Sequence, residues 1–256
     1  MARYQIILAY DGTGYLGFQR QGKGHTVQAV VETALRQIGW QGRTILAAGR
    51  TDTGVHATGQ VAAFDLDWKH SVQDLQAALN ACLPPDVAVQ AVEQVSDQFH
   101  PRFDALARSY HYHIFCQEVR NPLRERYAWR VWPEAALEPM QKAAASLVGT
   151  HDFAAFGTPP RRGGRTVRTV RQASWRALPV EASGPELVFE ITADAFLYHM
   201  VRRLVTVLVM VGQGRLDVET VGRLLDDPQA EMVQGLAPPN GLVLVEVIYP
   251  LKTEER

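Results

Sequence analysis

The sequence predicts an α/β (α+β) protein of two similar domains, each a mostly antiparallel sheet flanked by helices. Three observations favour this class. The 256 residues are 46% hydrophobic and 21% charged, which is an ordinary globular composition. A chain of this length holds one large domain or two modest ones, at roughly 100–200 residues each. Segments of alternating apolar residues are followed by segments of helical apolar spacing, and this order occurs twice.

The first half begins with a predicted strand over Arg3–Tyr10, because apolar and aromatic residues alternate there. A glycine-rich loop over residues 11–24 follows. A helix is predicted over Thr26–Ile38, where valines, alanines and leucines recur at helical spacing. The remaining predicted elements are strands Thr44–Ala48 and Gln60–Leu66, a helix over Ser71–Leu83 with Ser71 and Asp74 in capping-box spacing, and strand Val87–Val95.

The second half begins near Arg102, which gives predicted domains of residues 1–103 and 104–256. Pro133 precedes a helical pattern and is typical of a helix start. The predicted elements are strand Ala107–Cys116, helix Glu134–Val148, strands Thr166–Leu178 and Leu187–Ala193, helices His199–Val211 and Val218–Leu225, and strand Leu242–Tyr249.

Charge is distributed unevenly along the chain. The net charge of −1 argues against a uniformly basic nucleic-acid binder. However, residues 99–176 contain 13 basic and 6 acidic residues, and the remainder carries a net charge of −8. The stretch Arg161–Arg176 holds six arginines and no acidic residue. It is either a solvated surface loop or a surface that contacts phosphate groups.

The sequence predicts neither a membrane segment nor a metal site. The opening residues lack the apolar core of a signal peptide. The longest apolar stretch, Leu204–Val211, is far shorter than the roughly 20 residues of a membrane-spanning helix. Cys82 and Cys116 have no metal-ligand spacing and are too few for a disulfide scaffold. We therefore expect a soluble protein of a reducing compartment.

A glycine pattern follows the first predicted strand. Gly12, Gly14 and Gly17 match G-x-G-x-x-G, which is typical of dinucleotide-binding folds. That motif opens a helix directly, whereas here Phe18–Gly24 intervenes and no second parallel strand ending in an acidic residue follows. The pattern therefore favours a loop that brings main chain close to a ligand, and a nicotinamide-dependent oxidoreductase stays as an alternative.

The stretch from Ala48 to Ala57 concentrates chemically active side chains. Arg50, Asp52 and His56 lie between two predicted strands, with glycines that permit tight turns. Functional residues often lie on loops held by a rigid scaffold. The alternative is structural, with an Asx-turn at Asp52 and a surface ion pair at Arg50.

The stretch Gly49-Arg-Thr-Asp-Thr-Gly-Val-His-Ala57 resembles the catalytic-loop signature of the tRNA pseudouridine synthase A family. The resemblance extends over nearly the whole chain, in the family's order. The other matching stretches are Tyr10–Gln19, Gly59–Phe64, Asn80–Pro84, Phe99–Phe103, Ala107–Tyr110, His151–Phe153, Phe196–Arg202 and Gly241–Leu242. The catalytic loop and the Phe-x-x-His-Met-Val-Arg stretch are both specific.

The resemblance implies that uridine in RNA is isomerised to pseudouridine, without cofactor or metal. The N1–C1′ bond breaks, the uracil rotates, and C5 bonds to C1′. Asp52 is then the essential carboxylate, acting as a nucleophile toward C1′ or the uracil ring, or as a base at the sugar. Arg50 favours an ionised Asp52 and can fill the space left by the flipped base.

The resemblance also assigns residues of the second half. Tyr110 matches the family's active-site tyrosine, which can stack on uracil and move a proton at C5. Arg202 is expected close to the catalytic aspartate, and Leu242 forms an apolar wall of the uracil pocket. Phe196 and His199 belong to the same substrate-binding stretch. Taken alone, Tyr110 also suits a role as a core aromatic residue, and His199 one as a structural histidine.

The remaining implications concern partners. Arg165 and Arg168, in the acid-free stretch, are expected to contact the RNA backbone. The resemblance implies a cytoplasmic homodimer, with an active-site cleft between the two domains of each chain, that acts on positions 38, 39 and 40 of the tRNA anticodon stem-loop. A non-catalytic RNA-binding module would also explain the arginines, but it gives Arg50 and Asp52 no role.

Overall fold

A computed structural model describes residues 1–22, 24–179, 184–227 and 230–250. These residues form ten strands and five α-helices. In chain order they are β1 (Ala2–Tyr10), α1 (Val27–Gln37), β2 (Leu46–Ala47), β3 (His56–Leu66), α2 (Val72–Cys82), β4 (Val87–Val95), β5 (Ala107–Cys116), β6 (Trp129–Val131), α3 (Leu137–Ala145), β7 (Gly149–Asp152), β8 (Val167–Leu178), β9 (Glu186–Ala193), α4 (Met200–Gly212), α5 (Thr220–Asp226) and β10 (Leu242–Ile248).

The chain divides into two compact units. The first contains Met1–Leu106 and the strand that follows Leu242, and the second contains Ala107–Leu242. This division lies close to the expected boundary after residue 103. It differs from the expected domains in one respect, because the last strand belongs to the first unit rather than the second.

The sheet of the first unit explains this difference. Strand β1 lies between β3 and β4 and is antiparallel to both, with Ile6 opposite Ala62 and Val92. On the other edge of β3, β10 runs parallel and Val243 lies opposite His56. Strand β10 therefore belongs to the sheet of the first unit, because its main chain pairs with that of β3.

The core of the first unit follows the predicted periodicities. Tyr4, Ile6, Leu8 and Tyr10 are each at most 5% exposed, which confirms the alternation of β1. Helix α2 packs against α1 and β4. Together the two helices add the fully buried side chains of Val31, Leu35, Leu75 and Leu79. The capping box of α2 is present, since Ser71 and Asp74 bond each other's main-chain N–H groups.

The second unit is built on the antiparallel order β5-β9-β8-β7, and β6 runs parallel to β5. Tyr112 in β5 lies opposite Phe189 in β9, and Phe189 lies opposite Trp175 in β8. Helix α3 packs against β8 and α4. The α/β class, with mostly antiparallel sheets flanked by helices in two similar domains, is confirmed.

Several element boundaries differ from the predictions. Helix α3 begins at Leu137 rather than Glu134, because Pro139 lacks an N–H and is tolerated only in the first helical turn. Strands β6 and β7 were not predicted, because three and four residues are too few to show an alternation. Strand β3 begins at His56, four residues before the predicted start, so the preceding loop is shorter than expected.

Three further observations concern the described ranges only. None of their helices combines the length and apolar character needed to span a bilayer. Both Cys82 and Cys116 are free thiols. No three His, Cys, Asp or Glu side chains are grouped there as a metal site requires.

A cross-strand ion pair lies at one end of the β1–β3 ladder. Arg3 and Asp65 are register partners, with Nε–Oδ1 and Nη2–Oδ2 distances of 2.7 and 2.9 Å. The hydrogen bond from Arg3 holds the pKa of the Asp65 carboxyl below its usual range. Because the folded state favours the carboxylate, the pair stabilises the fold above the ordinary aspartate pKa of about 3.9, and this contribution is lost as the pH falls.

We expect Asp65→Asn to lower the free energy of unfolding by up to about 1 kcal/mol at pH 7, since the pair is partly exposed. The difference from wild type should shrink towards zero at pH 2, as measured by urea titration at both pH values. Asp67→Asn removes an exposed carboxylate two residues away and should have little effect at either pH. An equal loss from Asp65→Asn at pH 7 and pH 2 would contradict the assignment.

Candidate active site

The loop that carries Arg50 and Asp52 spans residues 48–55, between β2 and β3. Its first end is fixed to β3 by two hydrogen bonds. The Ala48 N–H donates to the Val61 carbonyl at 2.9 Å, and the Gln60 side-chain amide donates to the Gly49 carbonyl at 3.1 Å. Because Gln60 is fully buried, this contact is shielded from water and holds the loop entrance in place.

A tight turn presents Asp52. The Val55 N–H donates to the Asp52 carbonyl at 3.1 Å, which closes a four-residue turn. Gly54 has φ 77°, a conformation that glycine adopts without steric cost. Asp52 is half-buried at the start of this turn, so its carboxylate is shielded but not sealed from solvent.

The glycine-rich loop after β1 packs directly on this turn, main chain against main chain. The Phe18 N–H donates to the Thr51 carbonyl at 3.1 Å, and the Gly54 N–H donates to the Tyr15 carbonyl at 3.3 Å. The hydroxyls of Tyr10 and Thr51 are 2.8 Å apart and share a hydrogen bond. Residues on both sides of Asp52 are therefore held by the first loop.

Two glycines of the G-x-G-x-x-G pattern make this approach possible. A Cβ on Gly12 would lie 2.0 Å from the Val55 carbonyl oxygen, and one on Gly17 would lie 2.6 Å from that of Thr51. Gly17 also has φ 84°. A Cβ on Gly14 would meet nothing within 4 Å. The pattern thus serves contact between two loops, which removes the observation that favoured a nicotinamide cofactor.

His56 joins the same contact from the start of β3. It is buried, and its Nδ1 accepts a hydrogen bond from the Gly12 N–H at 3.0 Å. Arg50 differs from Asp52 and His56 because it is exposed. The stretch therefore combines an inward histidine, a half-buried carboxylate and an outward arginine.

Glu32 in α1 is a buried residue that the sequence predictions did not include. Its carboxylate accepts hydrogen bonds from the Gln28 side chain at 2.8 Å and the Ile45 N–H at 3.2 Å, and it pairs with Arg20 at 2.7 Å. It thereby ties the end of the glycine-rich loop to the segment before β2. The available signal was a polar pair, Gln28 and Glu32, spaced by four residues on a helix.

In the second unit, two predicted site residues come together. Tyr110 lies half-buried on β5, and its ring meets that of Phe196 edge-on, with centroids 5.0 Å apart and planes at 82°. This edge-to-face geometry is favourable for aromatic pairs and fixes the orientation of both rings.

The start of α4 holds two more predicted residues. Arg202, in the first turn, is 9% exposed, and its Nε donates to the Ala237 carbonyl at 2.6 Å. His199 precedes the helix with φ 66°, and among the described residues no other side-chain-bearing residue has a positive φ. Leu242 is buried directly after a 3-10 turn over Pro239–Gly241.

The two predicted RNA-contacting arginines differ in their surroundings. Arg165 is exposed, beyond a turn closed by the Gly164 N–H and the Arg161 carbonyl at 2.9 Å. Arg168 is half-buried, and its Nη1 donates to the carbonyls of Arg165 and Val167 at 2.9 and 2.7 Å. Burial lowers the pKa of Arg168 from its ordinary value. Of the two arginines, Arg165 is the exposed one.

Comparison with known proteins gives consistent matches along the chain. A family model described as tRNA pseudouridine synthase matches residues 6–104 and 143–250. The chain is 40% identical over 252 residues to tRNA pseudouridine synthase A of Geobacter sp. (strain M21), covering 98% of this chain and 100% of that protein. It is 39% identical to the protein of that name from Myxococcus xanthus, covering 97% and 92%, and 37% identical to that of Exiguobacterium sp. (strain ATCC BAA-1283 / AT1b), covering 97% and 98%.

The packing of the two loops predicts unequal effects of alanine in the glycine pattern. Gly12→Ala places a methyl group against a main-chain carbonyl that cannot rotate away, so we expect a loss of about 1–3 kcal/mol in the free energy of unfolding. Gly14→Ala meets open space and should change it by less than about 0.5 kcal/mol. Urea titrations of both variants test this, and equal losses would contradict the described packing.

Proposed function

The chain belongs to the tRNA pseudouridine synthase family, and we propose that it isomerises uridine to pseudouridine in the anticodon stem-loop of tRNA, at positions 38, 39 and 40. The observation that carries the proposal is the matched stretch Gly49–Ala57, which presents a half-buried carboxylate on a rigidly held turn. Such a scaffold fixes a reacting group relative to its substrate. The family match in both units supports the same assignment.

Asp52 is the proposed reacting carboxylate. The reaction breaks the N1–C1′ bond of uridine and forms a C5–C1′ bond. The hydrogen at C5 leaves as a proton and N1 acquires one, so substrate and product are isomers and no redox partner is needed. A carboxylate suits this chemistry either as a nucleophile toward C1′ or the ring, or as a base at the sugar.

Arg50 is proposed to assist access to the base. A base within a stem must leave the helix before it can react, which costs a few kcal/mol. Arg50 is exposed and lies two residues from Asp52. It is therefore available to occupy the space that the flipped base vacates, or to contact a phosphate.

The second unit supplies the proposed uracil-binding side chains. Tyr110 stacks on the base and moves a proton at C5, with Phe196 fixing the tyrosine ring. Leu242 forms an apolar wall, and Arg202 contributes a positive charge near the reacting groups. His199 is proposed to contact substrate at the start of α4. The family resemblance of each motif supports these roles.

The proposed partners follow from the substrate. Arg165 and Arg168 are proposed to contact tRNA phosphates from the acid-free stretch of the second unit. We propose a homodimer, with dimer contacts in the second domain and tRNA lying across both subunits. Because its substrate would be tRNA, we propose that the enzyme acts in the cytoplasm.

Asp52→Asn tests the chemistry. Wild type should release tritium from tRNA labelled at uridine C5, and mapping of the product should place pseudouridine at positions 38–40. The variant should release tritium at least about 100-fold more slowly, because a positioned proton-transfer or nucleophilic group is lost. Its affinity for tRNA should stay within a few-fold of wild type.

Asp67→Asn is the matched control, since it removes an exposed carboxylate of the same unit and should remain active. Release at the wild-type rate by Asp52→Asn would contradict the role of that residue. Tight tRNA binding without any product from wild type would instead favour the non-catalytic RNA-binding module.

Arg165→Ala tests the phosphate contact. In a plot of the logarithm of tRNA affinity against the logarithm of salt concentration, the slope should be less steep for the variant than for wild type. One lost phosphate contact should change this slope by about 0.7–0.9. Arg215→Ala removes an exposed arginine outside the acid-free stretch and should leave the slope unchanged. Titrations at several salt concentrations decide the matter, and a wild-type slope in Arg165→Ala would remove this residue from the RNA surface.

A further inference from the structure

Tyr198 is an exposed aromatic residue to which the proposed mechanism gives no role. Its side chain is 56% exposed, although it lies between the buried residues Leu197 and Met200. Its ring stacks on that of His199, with centroids 3.6 Å apart and planes at 28°. Because His199 covers one face, the exposed surface belongs to the opposite face and the ring edge. The result is a flat aromatic surface open to solvent.

The main chain around this ring is rigidly held. Thr158 and Tyr198 exchange both main-chain hydrogen bonds, at 3.3 and 2.9 Å. Gly157 permits this approach, because a Cβ there would lie 2.6 Å from the Leu197 Cβ. His199 adopts φ 66°, a left-handed conformation that is strained for a residue with a side chain. This segment is held by two main-chain hydrogen bonds, is strained at His199 and carries an exposed ring. Such strain is typical of a binding position rather than of a solvated loop.

Arginines lie near the same ring. Thr158 begins the segment that carries the exposed residues Arg161, Arg162 and Arg165. Arg161 is three residues from Thr158, so their Cα atoms are at most about 11 Å apart. In the described part of the chain, the buried Nη1 of Arg203 has no hydrogen-bond partner. Burial and the charge of Arg202 lower the pKa of Arg203, and Tyr198 is close enough to oppose them.

We infer that Tyr198 is a stacking platform for an unpaired base of the RNA substrate, flanked by arginines that contact its phosphates. Single-stranded RNA is commonly held by aromatic rings that stack on bases beside a basic surface that follows the backbone. Tyr198, with one ring face not covered by His199 and with arginines nearby, combines these two features. The inference rests on the proposed function, since it names a contact to the same tRNA substrate.

Tyr198→Ala tests the platform. Stacking on one base is worth about 1–3 kcal/mol, so the Kd and KM for an anticodon stem-loop RNA should rise roughly 5- to 150-fold. The loss should appear in KM rather than kcat, and the salt dependence of binding should not change, because no phosphate contact is lost. Tyr198→Phe should rescue most of the loss, since it keeps the ring. Tyr127→Ala removes another exposed tyrosine of the same unit and is the control.

A binding cycle identifies the base. Stem-loops with one abasic site at each unpaired position are titrated with wild type and Tyr198→Ala. At one position the abasic substitution should weaken wild type but not the variant. The inference would be overturned if the abasic substitution and Tyr198→Ala had additive effects on the binding free energy at every position. It would also be overturned by an unchanged Kd in Tyr198→Ala. Failure of the proposed function would appear separately, because wild type would then yield no pseudouridine. The binding cycle measures only Kd and does not depend on product formation.

Discussion

Main-chain contact between two loops is the constraint on which the candidate site depends. The segment from Gly12 to Phe18 lies directly on the turn from Thr51 to Val55, closer than any side chain would permit. The contact fixes the residues before and after Asp52 by hydrogen bonds between main-chain groups, which vary little in position. A carboxylate that must meet a sugar carbon or a ring atom benefits from such fixed geometry, since small displacements reduce rates steeply.

The rest of the first unit supports this contact from behind. The buried Gln60 amide holds the loop entrance, and the buried Glu32 carboxylate ties Arg20 to Ile45. Gln60 and Glu32 are both fully buried and each has hydrogen-bond partners, so removing one partner would leave an uncompensated buried group. Polar residues within an otherwise apolar core therefore specify where the loops lie, while the apolar periodicities specify the sheet and helices that carry them.

Much of the fold was predictable, because β1, α1 and α2 follow simple periodicities. The predicted start of α3 at Glu134 was wrong, because Pro139 restricts where that helix can begin. The short strands β6 and β7 and the return of β10 to the first sheet depend on pairing between distant segments, which no local pattern reports. Among site residues, the motif around Asp52 was visible. The different surroundings of Arg165 and Arg168 were not, because spacing along a chain does not show which guanidinium turns back to its own main chain.

Amide hydrogen exchange at Phe18 and Gly54 tests the central claim most directly. These two N–H groups donate across the loop contact to Thr51 and Tyr15. If the loops are held as described, both amides exchange slowly, at rates comparable to those of the paired residues in β3. Exchange as fast as at the exposed Gly163 would show that the turn carrying Asp52 is not fixed by the glycine-rich loop, and would contradict the account.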